Sequence, residues 1–395
     1  MRIGVLTTSF PRFDGDVAGS FVLESCKALI ARGHQIDVLA PESADADAGL
    51  TVTDLRVHPI AYLRPRSWQR TFYRAGVPDN LRDDPRAWLG LAPFSTQLAI
   101  QTALHAQRWD AVISHWALPC ALAATLRPRR CRHLSVLHSA DVHALTRLPA
   151  RGLLASAVVA SADHHWFTSH ALRDKFATCL SPTRRGLLLD NSTCRPMGVE
   201  SPPVLDTRAI LRARLGLSTF TAVMLGRLVP VKGVEHAIAA IVGTNAQLVI
   251  IGDGPERERL QALAAPLGAQ VRFLGVITGR AKHEWLSAAD VLLVPSVVLS
   301  SGRSEGVPTV ALEAMSHGCP VIASNVGGIS ELIQHDSNGW LLPAADVGAI
   351  RNAVQSLIDA PSVRARLGVN AEASARPQHW PHVAQVWESI LASPR

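Results

Sequence analysis

Several residue types are scarce in this chain of 395 residues. Lysine occurs only as Lys27, Lys175, Lys232 and Lys282 among 39 basic residues, tyrosine occurs twice and methionine four times. The six cysteines (Cys26, Cys120, Cys131, Cys179, Cys194 and Cys319) are scattered, with no C-x-x-C pair and no metal-ligand spacing. That pattern argues against a zinc module and a dense disulfide framework. Separated thiols read as small buried hydrophobes in a reducing cytosol, with one structural disulfide as the alternative. The long apolar runs stop near ten residues, as in Val291–Leu299, which Pro295 and Ser296 interrupt. A bilayer-spanning helix needs about 20. The opening Met1-Arg-Ile-Gly-Val-Leu-Thr-Thr is too short an apolar stretch for a signal peptide and reads as a first strand. Charged residues make up 18% against 48% hydrophobic, which excludes wholesale disorder.

What is present is enough for two domains, at roughly 100–200 residues each. The net charge of +7 is uneven: residues 1–200 carry +6 and residues 201–395 carry +1. One basic cluster is dense, with Arg64, Arg66, Arg70 and Arg74 interleaved with Trp68, Phe72 and Tyr73. Such a segment can rest on anionic head groups or hold a phosphorylated acceptor. An exposed loop in an arginine-rich protein is the plainer alternative. Nucleic acid is not expected, because no recognition motif accompanies the charge.

Strand and helix signals alternate along the chain. Arg2–Thr7 reads as a strand, Phe21–Ile30 as a helix ended by Gly33, and Gln35–Ala40 as the next strand. Ala111–Ser114 and Leu134–Leu137 follow as short strands that run into polar loops. The order restarts after Pro196–Pro203. Helix Thr207–Leu215, strand Thr221–Leu225, helix Val234–Ile241, strand Gln247–Ile251 and helix Pro255–Leu267 come first. Strand Val271–Leu274, helix Ala281–Ala288, strand Val291–Val294, helix Pro308–His317 and strand Val321–Ala323 complete the series. The expected class is α/β, with two doubly wound parallel sheets facing each other across a cleft. We expect one unit over 1–200 and a second over 201–377. An amphipathic helix over 378–395 should pack back toward the first unit.

The sharpest chemistry lies in the second half. Gly226-Arg227 leaves a strand, and Lys232-Gly233 precedes a helix, so two cations join the positive end of a helix. A diphosphate carries the matching charge; surface cations at loop ends are the plain alternative. Glu305-Gly306-Val307-Pro308 precedes a helix, and Glu313 lies about a turn and a half inside it. Two carboxylates at different depths can take hydroxyl groups of one sugar nucleotide. Gly327-Gly328 is a further loop, and Glu331 should open the next helix.

The ordered set Gly226-Arg227…Lys232-Gly233, Gly252-Asp-Gly-Pro255, Phe273-Leu-Gly275, Ala289-Asp290…Pro295-Ser296, Glu305-Gly-x-Pro…Glu313-Ala-Met, Gly318-x-Pro-Val and Gly327-Gly…Glu331 resembles glycosyltransferase family 4. His115-Trp116-Ala-Leu-Pro119, His138-Ser-Ala-Asp141 and Pro196-x-Gly198-Val199 resemble that family's first half more loosely. The resemblance implies a GT-B fold of two Rossmann-like domains, 1–200 on the acceptor side and 201–377 binding nucleotide sugar, and a retaining enzyme that uses a nucleotide-diphosphate sugar, UDP- or GDP-linked. By the same resemblance Arg227 and Lys232 neutralise the leaving diphosphate, Glu313 holds the ribose and Glu305 holds hydroxyls of the transferred sugar. His138 would sit near the anomeric centre, with Asp141 and the weaker candidate His115 on the acceptor or sugar side. Relatives often carry Gly-Gly before the first helix. Here Asp16-Val17 stand between Gly15 and Gly19, so either glycine is the candidate for the donor phosphate.

Charge growing on a leaving phosphate needs fixed cations. No metal and no other cofactor is therefore expected, although Asp14-Gly-Asp16 and Asp45-Ala-Asp47 match D-x-D. The family further suggests a glycan or lipid-linked acceptor in exopolysaccharide, lipopolysaccharide or other glycoconjugate synthesis. The expected location is cytoplasmic, and an inner-face, peripheral association with anionic membrane fits the basic first half. The competing classes are a nucleotide-sugar epimerase or hydrolase, which needs a dedicated base, and a non-catalytic sugar-nucleotide-binding subunit. The latter would be expected to lack Arg227, Lys232 or Glu305, and all three are present.

Overall fold

Short runs rich in Val, Ile and Leu, each closed by a glycine or polar loop, form strands buried on both faces. β1 (Arg2–Leu6), β2 (Gln35–Pro41), β3 (Leu55–Ile60), β4 (Ala111–His115), β5 (Arg132–Leu137), β6 (His164–Phe167) and β7 (Ser192–Cys194) make one sheet, in the order β3-β2-β1-β4-β5-β6-β7. Every pairing is parallel, and Val5 lies opposite Val38 on one side and Ile113 on the other. β8 (Phe220–Leu225), β9 (Ala246–Ile251), β10 (Val271–Gly275), β11 (Val291–Val294), β12 (Val321–Ser324) and β13 (Gly339–Leu342) make a second parallel sheet, ordered β10-β9-β8-β11-β12-β13. This computed structural model describes residues 1–43, 52–73, 76–300, 302 and 304–393. Asp45–Asp47, Arg74 and Arg303 therefore lie outside the described residues.

The chain divides into two units, Met1–Gly198 with Trp380–Arg395, and Val199–His379. In each sheet the strand order reverses once, between β1 and β4 and between β8 and β11. Loops leaving two such strands diverge and open a crevice at their carboxyl ends. In the first unit, helix Ser20–Ile30 buries Val22, Cys26 and Leu29 against the sheet, and the chain turns at Gly33 with φ 84°. Helix Trp380–Ala392 buries Trp380, Val383, Ala384, Trp387 and Leu391 in the same core as Ile3, Val5, Ile113 and Val136. Glu388 on its outer side pairs with Arg32 and with His34.

Three expectations change. No helix opens at Glu331: Ile329–Glu331 is a single 3-10 turn, and the chain goes on to β13. Helix Pro255–Leu267 shortens to Arg257–Ala264: from Ala265 the chain tightens into a 3-10 stretch with Pro266 in its first turn, which kinks at Gly268, φ 52°. The basic–aromatic segment is also not uniformly exposed. Phe72 and Tyr73 are buried in the core, whereas Trp68 is 57% exposed. Arg66 and Gln69 hold Glu42 at 2.7 and 2.8 Å, so part of the cationic surface is neutralised internally. All six cysteines are free. Among the described residues no helix is long and apolar enough to cross a membrane.

Candidate active site

In the second unit the loop after β8 and the loop after β11 come together, because these strands are neighbours at the reversal point. Gly226 follows β8, and Arg227 beside it is exposed. Lys232 ends the 3-10 turn Pro230–Lys232 and precedes helix Val234–Ile241. A Cβ on Gly226 would stand 3.6 Å from Lys232 Cε, so the bare glycine leaves room over the lysine chain. Lys232 Nζ meets Glu305 Oε2 at 2.6 Å, and Ser296 Oγ, just past β11, donates to the same oxygen at 3.4 Å. Gly327, at φ 57°, lets the Glu305 carbonyl approach to where a Cβ would lie only 1.9 Å away. The sequence assigned Lys232 and Glu305 to different parts of the donor; the fold brings them into one ion pair. Gly306 is half-buried in the same loop, and Val307 packs on the core beneath it.

Glu313 lies in helix Thr309–Ser316, whose N-cap is Pro308. Its Oε1 accepts from Lys282 Nζ at 2.9 Å. Lys282 also stands 4.0 Å from Glu200, which reaches His283 Nε2 at 3.3 Å. His283 Nδ1 in turn faces His317 Nε2 at 2.9 Å. Burial, with the neighbouring His283 and Lys282 charges, pushes His317 down to about 4. Lys282 was missed in the sequence, although its being one of four lysines was a usable signal. Glu200 and the two histidines carried none, because the contacts join segments far apart in the chain.

In the first unit, Gly19, at φ 67°, caps helix Ser20–Ile30, and a Cβ there would meet the Ser9 carbonyl at 2.3 Å. Gly15, at φ 85°, has nothing within 4 Å of that position. Gly19 is thus accounted for by chain packing, and Gly15 is the open one. Asp16 of the first D-x-D match accepts from the Arg12 side chain at 2.7 Å and from the amides of Arg12 and Ala18, both at 3.1 Å. Those contacts commit it to the turn and hold its carboxyl below the usual range, against the opposing effect of burial.

His138 follows β5 and is the N-cap of helix Ser139–Leu145. It forms a capping box with Asp141, whose Oδ1 accepts the His138 amide at 2.9 Å. Asp141 Oδ2 accepts the Ala117 amide at 2.6 Å, tying the loop after β4 to the loop after β5. Asp141 is therefore engaged with backbone, and withdrawal from water raises its pKa to about 7 despite these amides. His115 requires a correction. Along β4, Ala111, Ile113 and His115 share one face, which packs into the core that includes Trp387. The residue has no accessible surface, so it cannot touch a sugar. Its Nδ1 lies 3.2 Å from His138 Nε2, and Phe21 packs on both rings. Burial pushes His138 down to about 3 and His115 well below the usual imidazole range, which leaves both imidazoles neutral at pH 7.

Residues 210–374 match the family described as glycosyl transferases group 1, and residues 18–190 match the glycosyl transferase 4-like domain. Over 377 residues the chain is 29% identical to the GDP-mannose-dependent alpha-(1-6)-phosphatidylinositol monomannoside mannosyltransferase of Mycobacterium tuberculosis, with 90% of this chain and 89% of that one covered. It is 27% identical over 407 residues to the D-inositol 3-phosphate glycosyltransferase of Xylanimonas cellulosilytica, with 96% and 92% covered. Among solved structures, sucrose-phosphate synthase from Thermosynechococcus elongatus superposes with a TM-score of 0.74 at 23% identity, over 100% of both chains. HepE from Anabaena, solved in complex with UDP, gives 0.71 at 18% identity, again over 100% of both chains. With two adjoining matches of one kind and parallel-sheet units of the same architecture, the chain belongs to glycosyltransferase family 4 and has the GT-B fold.

Proposed function

We propose that this glycosyltransferase retains anomeric configuration and takes its sugar from a nucleoside diphosphate, with GDP-mannose the first donor to try. The acceptor we propose is a hydroxyl of a phosphoinositol- or lipid-linked glycan, in glycoconjugate synthesis at the inner face of the cytoplasmic membrane. The observation that carries this reading is the Lys232–Glu305 pair at the reversal point of the second sheet, with Arg227 exposed beside it. A cation and a carboxylate in contact match the two ends of one bond: the lysine answers the leaving phosphate, the glutamate the sugar's hydroxyls. Arg227, Lys232 and the start of helix Val234–Ile241 supply the positive charge, so no divalent metal is needed for it. GDP-mannose and the acceptor class are supported by the names of the relatives that match along most of the chain.

The membrane part rests on the first unit. Trp68, Trp88 and Leu89 are 57%, 59% and 60% exposed on two 3-10 turns, which Arg70 and Asp84 tie together at 3.2 Å. Apolar rings among arginines suit an anionic head-group layer.

The test is nucleotide release from a donor panel, with and without phosphatidylinositol and inositol phosphate, each with and without EDTA. We expect release from GDP-mannose that rises with acceptor and survives EDTA. Loss of release in EDTA would refute the metal-free mechanism. Wild-type turnover in Glu305→Ala and Lys232→Ala would refute the site.

A further inference from the structure

The first unit holds buried polar atoms that the proposed chemistry does not use. His115, at the end of β4, is sealed in the core, and its Nδ1 lies 3.2 Å from His138 Nε2. The two rings are inclined by only 15° with centroids 5.5 Å apart, the geometry of an in-plane nitrogen–nitrogen hydrogen bond. Nε2 of His115 has no hydrogen-bond partner among the described residues. Trp387 of the C-terminal helix packs on the His115 ring with centroids 6.0 Å apart, and its buried Nε1 is also without a hydrogen-bond partner among the described residues. An unpaired nitrogen in a core is costly, so the ring orientation of His115 is set chiefly by the hydrogen bond its Nδ1 makes.

The hydrogen positions follow from the neighbours. In the capping box the His138 ring faces the Asp141 amide, so its Nδ1 is the acceptor and its hydrogen is on Nε2. His115 Nδ1 then accepts from His138, and His115 carries its own hydrogen on Nε2.

We propose that His115 is a positioning residue for His138, its own ring held in the core against the Trp387 indole. The reacting-side imidazole is thereby tied to the C-terminal helix, which the chain adds after the second unit is complete. Both nitrogens of His138 are engaged, so it presents an oriented ring and does not take the acceptor's proton. That proton leaves with the donor phosphate. This inference rests on the reading above that His138 stands beside the transferred sugar.

The experiment uses the full chain with four variants: His115→Leu, His115→Asn, Trp387→Phe and His138→Ala. The amide of asparagine reaches the Nδ1 position and can accept from His138, whereas leucine fills the space without a nitrogen. We expect His115→Leu to lower kcat by about tenfold to a hundredfold, as a misplaced group does, with the donor KM changed by less than about twofold. His115→Asn should recover most of the loss. In ¹⁵N-histidine-labelled protein both rings should report a hydrogen on Nε2, and Trp387→Phe should shift the His115 signals. Wild-type kcat in His115→Leu, or an asparagine variant no better than leucine, would overturn the proposal. So would a His115 hydrogen on Nδ1. Wild-type turnover in His138→Ala would instead overturn the sugar-side reading of His138, and the nitrogen signals would still decide the hydrogen-bond chain. If His115→Leu does not fold, near-wild-type kcat in His115→Asn and the nitrogen signals of the labelled wild-type protein decide between the same two outcomes.

Discussion

Replacing Lys232 with methionine separates its structural role from its chemical one. Its Nζ is 2.6 Å from Glu305 Oε2, with side-chain exposures of 20% and 17%. At that distance and an effective dielectric of about 20, the attraction is about 6 kcal/mol before desolvation is set against it. Exposed pairs net about 0–1 kcal/mol, and breaking a buried pair costs about 3–5 kcal/mol. A pair between these limits implies about 2 kcal/mol lost on removing one partner. For a unit of this size that lowers Tm by about 4–8 °C. The catalytic effect should be larger: loss of one fixed cation at a developing phosphate charge costs about 10²–10³ in kcat. Glu305→Gln should show a similar stability loss, because it leaves the lysine unpaired. The double variant Lys232→Met/Glu305→Gln removes both charges, so Tm should return to within about 2 °C of wild type. Its kcat should stay at the level of the worse single variant, since neither methionine nor glutamine neutralises phosphate. Thermal melting and nucleotide release on the four proteins complete the cycle. Recovery of kcat together with Tm in the double variant would refute the reasoning, because the pair would then act only by holding the loop.

Two further outcomes follow from backbone packing and from burial. Gly327→Ala would drive a Cβ to 1.9 Å from the Glu305 carbonyl at φ 57°, so we expect about 2 kcal/mol of destabilisation or more, and a raised donor KM; unchanged melting and KM would show that the loop yields freely. Burial depresses several imidazoles, among them His133 and His138 to about 3, and His165 and His317 to about 4. The unfolded chain protonates them near pH 6.5, so below that pH it binds more protons than the folded state. Stability should therefore fall as pH drops from about 6.5 toward 4, and the urea midpoint should track it. Asp141, raised to about 7, opposes this trend, because its folded carboxyl keeps a proton that the unfolded one loses above about pH 4. A midpoint that is flat between pH 6.5 and 4 would refute the burial account.

The strands that make both reversal points were legible because each is a short apolar run with a punctuating loop: β1, β2, β4, β5 and β8 to β12. β3 was not, because Leu55-Arg-Val-His-Pro-Ile is a half-exposed edge strand with alternating polar residues and a proline. β6, β7 and β13 are no apolar runs of the kind that marks the equally short β11 and β12: His164-His165-Trp166-Phe167 opens on two histidines, Ser192-Thr193-Cys194 is three small residues, and Gly339-Trp340 begins β13. The loops of the second unit were readable for the same reason as its strands. Gly226, Lys232, Glu305 and Gly327 sit at strand ends and helix starts, where backbone demands and charge leave a local mark.

Which of those residues touch was a different matter. The sequence by itself determined the class of fold, the order of its elements and the cations and carboxylates at their ends, since all of these are consequences of local periodicity and spacing. Only the tertiary structure decided that Lys232 pairs with Glu305, that Glu313 is held by Lys282, and that Asp141 is bound by backbone amides. It also moved His115 from the sugar's side to the core beneath His138, against Trp387. The physical reason is that a side chain's surroundings depend on which face of its strand it occupies and on what packs there. For His115 that neighbour is a helix near the far end of the chain, and no local pattern around β4 records it.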